Sequence, residues 1–313
     1  MASYSCIVEA GIPPDLRLDR YVAEYLKLLT RSQIKARVLT ARLNGKAVKI
    51  SRLLTCGDRL ELNWADPEPA DLIPEDLPLE IVYEDSQVVV INKRQGMVVH
   101  PGAGNPRGTL ANALMFRRLV QGGLDAGEAF RPGIVHRLDK DTSGIIIAAY
   151  DDETLRFLSE QFKNRKVRKT YGAIVKGALS EPSGFIQTRL IRDPQNRKRF
   201  TVSAEKGKTA LTLYRVIRSW GSHSFILLRP KTGRTHQLRV HLRWLGHPIL
   251  GDPLYRGEDS AFPQASLMLH AKRLSLLLPS DPVLRTFKTP FPLRFREVIR
   301  KLDPKQEFFY AHT

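Results

Sequence analysis

The sequence predicts an α+β fold with a mainly antiparallel mixed sheet, preceded by a small α+β domain. Clear helical patterns are few and do not alternate regularly with strands, as they would in a parallel α/β sheet. Runs of Val and Ile bounded by turn residues predict strands over 144–150, 170–177, 209–217 and 224–229. At 313 residues the chain is long for one hydrophobic core, so two domains are expected.

A proline-rich acidic segment is expected to separate the two domains. Residues 66–80, DPEPADLIPEDLPLE, contain four prolines, six carboxylates and no basic residue, which favours a stiff, self-repelling linker. The small domain would then cover residues 1–65, and the large domain residues 81–313. The chain is basic again on both sides of this segment.

Two short helices followed by a small sheet are expected in the small domain. Apolar residues at helical spacing over 18–29 predict the first helix, and Thr30 with Gln33 has capping-box spacing at the start of the second. Asn44-Gly45 predicts a two-residue hairpin turn, and the turn CGD leads into the alternating strand RLELNW. Such a domain has too small a core to enclose a catalytic site.

Two helices are predicted in the large domain. Residues 151–165 carry acidic residues in the first turn and basic residues in the last, which matches the helix dipole. The second helix lies near 235–246, with leucines on one face. Its opposite face consists of His236, Arg239 and Arg243. Arg234 precedes this helix at a Thr-Gly turn, and a guanidinium beside a helix N-terminus predicts a site for a phosphate or a carboxylate.

The net charge indicates an anionic partner. Fifty lysines and arginines against thirty-two acidic residues give a formal charge of +18 and a pI of about 10.1. Basic side chains bind phosphate backbones by displacing condensed counterions, so RNA or DNA is favoured. The N-terminus lacks a signal-peptide pattern, and no apolar run is long enough to span a bilayer. Cys6 and Cys56 are far apart and lack metal-ligand spacing, so a cytoplasmic location is expected.

The segment GIVHRLDKDTSGIII, residues 133–147, places charged residues between two apolar runs. It is either a solvated turn between strands or a loop that holds a carboxylate inside a cleft. Dense polar clusters in apolar surroundings at 91–102, 168–177 and 229–255 favour the cleft. The histidines match no zinc pattern, and the sequence has neither a nucleophile elbow nor a phosphate-binding glycine loop, so no metal is expected. A reaction on an RNA base that needs one carboxylate fits what remains.

The small domain resembles a known RNA-binding module. The pattern RLDRYVAEYL…TRSQIKARVLTARLNGKAV…CGDRLEL, over about residues 15–64, is similar to the alpha-L RNA-binding motif. In that family the two helices and the following turn lie on structured RNA. The resemblance implies an RNA-binding surface that includes Arg17, Arg31, Lys35, Arg37, Arg42 and Lys46.

Six motifs follow one another in the large domain over roughly residues 80–275: INKRQGMVVHPG, GIVHRLDKDTSGIIIAAY, RKTYGAIVKG, TGRTHQLRVHL, HPILGDPLY and LMLHAKRL. In these motifs and in their order, the domain resembles the RluA/RluD-type pseudouridine synthases, which modify ribosomal RNA. The resemblance implies the synthase type of catalytic fold, no cofactor, and isomerisation of uridine in structured RNA. Arg94 departs from the family, which usually has proline after NK.

The resemblance also implies roles for single residues. Asp139 of HRLD would be the catalytic residue, and Asp141 would not. Arg234 would pair with Asp139 and keep it ionised despite burial, since an opposite charge offsets desolvation. Tyr171 would lie against the target base, and Leu269 would line the uracil pocket. The basic residues expected to bind RNA around the site are Arg137, Arg165, Lys166, Arg168 and Lys169.

The chemical route and the RNA partner stay open on sequence alone. The carboxylate could attack the sugar, attack the base, or remove a proton from the sugar. Ribosomal RNA is the expected substrate and transfer RNA the alternative, and the protein is expected to act as a monomer. The alternative function is a non-enzymatic RNA-binding or ribosome-assembly protein, in which Asp139 only orders a loop.

Overall fold

The chain divides into two compact units, Met1–Asp71 and Leu72–Thr313. The computed structural model describes residues 2–26, 28–29, 34, 38–65, 72–102, 104–122, 132–255 and 259–304. Among these residues, no helix is both long and apolar enough to cross a membrane.

The first unit contains a four-stranded antiparallel sheet and a short helical segment. Its strands are β1 (Ala2–Ile7), β2 (Val38–Leu43), β3 (Lys46–Ala47) and β4 (Arg59–Trp64). They lie in the order β1-β4-β2-β3. The helical segment is α1 (Leu18–Arg20), which continues as a π-helical turn (Tyr21–Tyr25) and buries Leu18 and Val22. Strand β1 was not expected, and the capping box of Thr30 and Gln33 lies outside the described residues.

The hairpin turn predicted at Asn44-Gly45 is confirmed. These residues join β2 to β3 with φ angles of 52° and 77°, and Leu43 faces Lys46 across the turn. Two consecutive positive φ angles are characteristic of the type I′ turn, whose twist matches that of the flanking strands. The Asn44 side chain also donates to the Asp58 carboxylate at 2.8 Å, which links this turn to the next one.

The second unit is built on one large sheet, which is mainly antiparallel as predicted. Its strands are β5 (Glu80–Glu84), β6 (Val88–Lys93), β7 (Gly133–Ile134), β8 (Ser143–Ala149), β9 (Arg168–Lys176), β10 (Ser183–Arg192), β11 (Phe200–Ser203), β12 (Lys208–Ser219), β13 (His223–Pro230), β14 (Leu269–Leu278) and β15 (Asp281–Lys288). Their order is β11-β10-β12-β13-β9-β14-β8-β6-β5, with β15 beside β14 and β7 beside β8. All four predicted strands are therefore present.

A parallel contact joins the first residues of β8 and β14. His270 lies opposite Ser143, and Ala271 lies opposite Gly144. Gly144 has a φ of 117°, and a Cβ atom there would lie 2.3 Å from the carbonyl oxygen of Ala271, so no larger residue fits. The close approach places the loop before β8 beside the beginning of β14.

Four helices among the described residues of the second unit bury apolar side chains against the sheet. They are α2 (Leu110–Val120), α3 (Asp152–Lys163), α4 (Gln237–Trp244) and α5 (Leu293–Leu302). The two predicted helices correspond to α3 and α4. Asp151 caps α3 by accepting the N–H of Thr154 at 2.7 Å. The sequence did not predict α2 or α5.

The C-terminal half of the predicted linker belongs to the second unit. Leu77 and Leu79 pack against its core, and the Glu75 carboxylate accepts the N–H of Gly108 at 2.8 Å. Prolines and acids favour an extended chain, but they do not prevent the leucines between them from anchoring it. The stretch 66–71 lies outside the described residues.

Candidate active site

A cleft of about 1340 Å³ is lined by the loop before β8, the beginning of β9 and the segment that leads into α4. Among the described residues that line it, one is acidic, Asp139, and eleven are basic. The basic residues are Arg137, Lys163, Arg165, Lys166, Arg168, Lys169, Arg229, Lys231, Arg234, Arg239 and Arg273. Such an excess of positive charge in a concave surface attracts polyanions.

Asp139 lies in the loop between β7 and β8, and residues 135–139 of this loop all line the cleft. Leu138 is buried against the core, whereas the adjacent Asp139 side chain is 21% exposed. The N–H of Thr142 donates to the Asp139 carbonyl at 3.1 Å, which closes a tight turn. Of the two interpretations of this segment, the structure agrees with the carboxylate held in a cleft.

Arg239 of α4 presents a buried guanidinium to Asp139. Its Nη1 lies 3.5 Å from Oδ2 of Asp139, while Nε and Nη2 donate to the carboxylate of Asp252 at 2.8 and 2.7 Å. Burial alone would lower the pKa of Arg239, but the hydrogen bonds with Asp252 and the charge of Asp139 raise it above its usual value. Arg239 is therefore a fixed, permanently charged group beside Asp139.

His236 approaches Asp139 from the N-terminal end of α4. The N–H of Phe200 donates to the phenol oxygen of Tyr255 at 2.7 Å, and the same oxygen lies 2.9 Å from Nδ1 of His236. The phenol proton can then be donated to Nδ1, which assigns the imidazole proton to Nε2, 3.9 Å from Asp139. Burial lowers the pKa of His236 and Asp139 opposes this effect, so a neutral imidazole faces the carboxylate.

The expected pairing of Arg234 with Asp139 is wrong. Nε of Arg234 instead donates to the carbonyl of Thr209 at 3.2 Å, and its backbone N–H donates to the Gln237 side chain at 3.0 Å. Arg234 lies before the helix begins, whereas Arg239 lies in its first turn and is buried against Asp252. Periodicity placed Arg239 on a basic face but could not show that this face is buried.

Tyr171 and Leu269 line the cleft from the neighbouring strands β9 and β14. Leu269 is buried, and Tyr171 is half-buried. Burial and the nearby charge of Asp139 raise the pKa of Tyr171 above its usual value, so its phenol stays neutral at physiological pH. A neutral aromatic ring beside an apolar side chain is suited to contact with a flat base.

Lys93 holds the loop of Asp139 by a hydrogen bond, a role that the sequence did not reveal. Its buried ammonium donates to the carbonyls of Arg94, Met97 and Lys140 at 3.1, 2.8 and 3.2 Å. Burial lowers the pKa of Lys93 to about 7, although the two aspartates of the loop oppose this effect. The only signal in the sequence was a lysine at the end of an apolar strand. By donating to the carbonyl of Lys140, the residue after Asp139, Lys93 links this loop to the end of β6.

A second buried contact holds the other end of this loop. Ser143 accepts a hydrogen bond from Nη2 of Arg294 at 2.6 Å and lies 2.9 Å from Nδ1 of His270. The other ring nitrogen of His270 is 2.9 Å from the hydroxyl of Thr289. Burial lowers the pKa of His270 to about 3, so the imidazole is neutral. Helix α5, to which the sequence assigned no role, therefore contributes to the support of the candidate site.

The basic residues expected to bind RNA near the site all line the cleft. Lys169 is half-buried, and the exposed ones are Arg137, Arg165, Lys166 and Arg168. In the first unit, Arg42 and Lys46 are exposed, and Arg17 is paired with Asp19 at 3.0 Å. The residues outside the described part of the chain are Arg31, Lys35 and Arg37.

Comparison with known protein families identifies the family of this chain. The sequence model of the RNA pseudouridylate synthase family matches residues 87–244, which include Asp139, Tyr171 and Arg239. The chain belongs to the RNA pseudouridylate synthase family. This membership makes the protein an RNA pseudouridine synthase and overturns the non-enzymatic interpretation.

Two similar proteins each align with 90% of this synthase. Over 287 residues it is 43% identical to the ribosomal large subunit pseudouridine synthase D of Borreliella burgdorferi, covering 90% of this chain and 87% of that protein. It is 36% identical over 298 residues to the protein of the same name from an Escherichia coli strain, covering 90% and 89%. The solved structure of human RNA pseudouridylate synthase domain containing 4 has a TM-score of 0.58 at 26% identity, covering 71% and 92%. These likenesses confirm the predicted synthase fold.

Proposed function

We propose that this synthase isomerises uridine to pseudouridine in large-subunit ribosomal RNA, with Asp139 as its catalytic residue. One observation carries the proposal. Among the described residues that line a strongly basic cleft, the single carboxylate lies 3.5 Å from a buried guanidinium. The basic side chains suit a phosphate backbone, and the carboxylate suits chemistry on a nucleotide drawn into the cleft.

The isomerisation only rearranges bonds within the uridine nucleotide. The bond between C1′ and N1 of uridine breaks, the base turns, and C1′ joins C5. C5 loses a proton and N1 gains one, so no atom enters or leaves overall and no oxidant or reductant is required. Asp139 can act as a nucleophile at C1′, as a nucleophile at the base, or as the base that removes a sugar proton. In each route, the fixed charge of Arg239 stabilises the carboxylate in the free site.

Tyr171 and Leu269 are proposed to hold the uracil beside Asp139. A base in structured RNA reaches the cleft only after leaving its stack. Contact with an aromatic ring replaces part of the lost stacking and contributes about 1–3 kcal/mol per base. The position of Tyr171 in the cleft, together with its neutral phenol, supports this role.

Ribosomal RNA is proposed as the substrate because two similar proteins are named ribosomal large subunit pseudouridine synthase D. The first unit is proposed to act as an alpha-L RNA-binding module, with Arg42 and Lys46 exposed on its strands. Exposed basic side chains bind phosphates with little sequence preference. The first unit would therefore add affinity, while the cleft of the second unit would accept the uridine.

Mapping of pseudouridine tests the proposed function. The purified protein is incubated with transcripts of large-subunit ribosomal RNA and, separately, of transfer RNA, and pseudouridines are detected by carbodiimide labelling and primer extension. The expected result is new pseudouridine in the ribosomal transcript. Modification confined to transfer RNA would overturn the proposal that ribosomal RNA is the substrate. The absence of new pseudouridine from both transcripts would contradict the proposed activity.

A further inference from the structure

Lys169 is a half-buried cation in the wall of the cleft. It lies two residues before Tyr171 on β9, and alternate residues of a strand share a face. Its ammonium lies 5.8 Å from the centroid of the Phe162 ring, and Phe162 in turn stacks on His136 at 4.6 Å. The lysine therefore has a defined position on the same side of the strand as Tyr171.

The ammonium of Lys169 has no acceptor in the part of the chain that the structure describes. Among the described residues, no carboxylate lies within ion-pair distance of this ammonium, and no carbonyl or hydroxyl accepts a hydrogen bond from it. Partly buried cations usually have such partners, because desolvation of the charge is costly. The other buried cations of the site follow this rule, since Lys93 donates to three carbonyls and Arg239 donates to Asp252. Of these three cations, Lys169 is the one whose donors have no acceptor among the described residues.

Gly233 lies beside this ammonium. A Cβ atom at Gly233 would lie 3.8 Å from Nζ of Lys169, so even an alanine there would contact the ammonium. Gly233 and Lys169 both line the cleft.

We propose that Lys169 binds the phosphodiester next to the uridine that enters the site. This inference rests on the proposed function and adds to it the position of the RNA backbone. Two residues along a strand span about 6.6 Å, which is comparable to the separation of a pyrimidine ring from the phosphate of its own nucleotide. With the uracil against Tyr171, this phosphate reaches Lys169. An ammonium is a compact point charge that binds phosphate oxygens from several directions.

The electrostatics of the cleft agree with this role. Burial lowers the pKa of Lys169 below its usual value, because the charged form loses part of its solvation. A phosphate would supply the missing acceptors and counter-charge when RNA binds. Lys169 therefore destabilises the free protein and stabilises the complex, which is the behaviour of a binding residue rather than of a structural one.

Three variants of the full-length protein test the role of Lys169. Lys169→Met removes the charge with little change in volume, Lys169→Arg keeps the charge, and Lys301→Met is the control at an exposed site on α5. The probe is a synthetic RNA hairpin with one uridine in its loop, and binding is measured over a series of salt concentrations. Lys169→Met is expected to weaken binding by about tenfold or more, and to reduce the slope of log affinity against log salt by about one. Lys169→Arg and Lys301→Met are expected to bind nearly as well as the wild type.

Thermal melting separates a binding role from a structural one. Because Lys169→Met removes a poorly solvated charge, it is expected to melt at the wild-type temperature or above. A melting temperature reduced in step with the affinity would overturn the proposal.

Neutral phosphate replacements identify the contact itself. Single methylphosphonates are placed in turn around the uridine of the hairpin. With the wild type, one replacement beside the uridine is expected to weaken binding, and with Lys169→Met the same replacement is expected to have no further effect. Two results would overturn the proposal. One is that Lys169→Met binds the hairpin as tightly as the wild type does, and the other is that each methylphosphonate weakens binding equally in the two proteins. These are binding measurements, so they stay decisive for Lys169 even if the protein forms no pseudouridine, a result that would count against the proposed function alone.

Discussion

Arg239 is shared between two carboxylates, those of Asp252 and Asp139. Two of its nitrogens donate to Asp252 at 2.7 and 2.8 Å, and the third lies 3.5 Å from Asp139. Asp252 is fully buried and also accepts the backbone N–H groups of Leu254 and Tyr255 at 2.8 and 3.0 Å. The position of the guanidinium beside Asp139 is therefore set in the free protein. This arrangement gives different expectations for the two arginines of TGRTHQLR.

Arg239→Gln is expected to lower kcat for pseudouridine formation by about 100-fold or more, since it removes the fixed charge beside the carboxylate proposed to react, that of Asp139. It would also leave Asp252 buried without a counter-charge, so the free energy of unfolding should fall by about 3–5 kcal/mol. Single-turnover rates and thermal melts of the purified variant measure the two effects.

Arg234→Gln is the matched comparison, because Arg234 lines the same cleft without contacting Asp139. It is expected to raise KM through the loss of one positive charge, with a small change in kcat and an unchanged melt. A loss of kcat equal to that of Arg239→Gln would show that Arg234, and not Arg239 alone, supports the carboxylate during the reaction.

Asp139→Asn is expected to abolish pseudouridine formation while RNA binding persists or becomes tighter. The substitution keeps the size of the side chain but removes the negative charge from a cleft that binds a polyanion. Release of tritium from RNA labelled at C5 of uridine measures turnover, and filter binding measures affinity. Asp141→Asn, two residues along the same loop, is the control and should retain turnover. Activity in Asp139→Asn would remove this residue from the chemistry.

Lys93 should make stability depend on pH in a definite direction. Its pKa is about 7 in the folded protein and 10.5 for an ordinary lysine. Between these values the unfolded chain binds more protons than the folded one, so stability rises with pH, by at most about 1.4 kcal/mol per pH unit. Below pH 7 both states are protonated, and the full desolvation cost of the ammonium is present.

Lys93→Met removes this dependence, although it also leaves three carbonyls without a donor. The melting temperature of the wild type is therefore expected to exceed that of Lys93→Met by an increasing margin from about pH 7 to about pH 9. Lys288→Met, at an exposed site on β15, should follow the wild-type curve. Parallel curves for the wild type and Lys93→Met would show that Lys93 does not titrate in this range.

The elements that the sequence predicted correctly are those with strong local signals. Strand β8 is a nearly continuous apolar run, and β9 contains the apolar stretch YGAIV. Helix α3 has the charge pattern of a helix together with an aspartate cap. Helix α2 was missed because its capping box uses Asn112 in place of the usual glutamate or glutamine. Helix α5 was missed because Pro292 precedes it and offers no side-chain cap. Weak local signals therefore account for both omissions.

The parts of the site that lie within one sequence segment could be predicted. The parts that depend on contacts between distant segments could not. The segment that holds Asp139 could be found because charged residues interrupt an apolar run, whereas the choice of Asp139 over Asp141 came from the family resemblance. Arg239, the partner of Asp139, depends on a bond to Asp252, thirteen residues further along the chain. The role of Lys93 depends on a carbonyl forty-seven residues away. Periodicity shows which residues share a face, but it does not show whether a polar face is buried against another charged group.

Gly144→Ala tests whether the close contact between β8 and β14 is needed to position the candidate site. The new Cβ atom would lie 2.3 Å from the carbonyl oxygen of Ala271, in a backbone conformation that alanine rarely adopts. A substitution that must move a buried backbone is expected to cost about 4 kcal/mol or more, which corresponds to a melting temperature lower by roughly 10 °C. Gly102→Ala is the control, since a Cβ atom there would meet nothing within 4 Å. If Gly144→Ala melted and turned over like Gly102→Ala, the two strands could separate without disturbing the loop of Asp139, and its support would have to come from Lys93 and Arg294 alone.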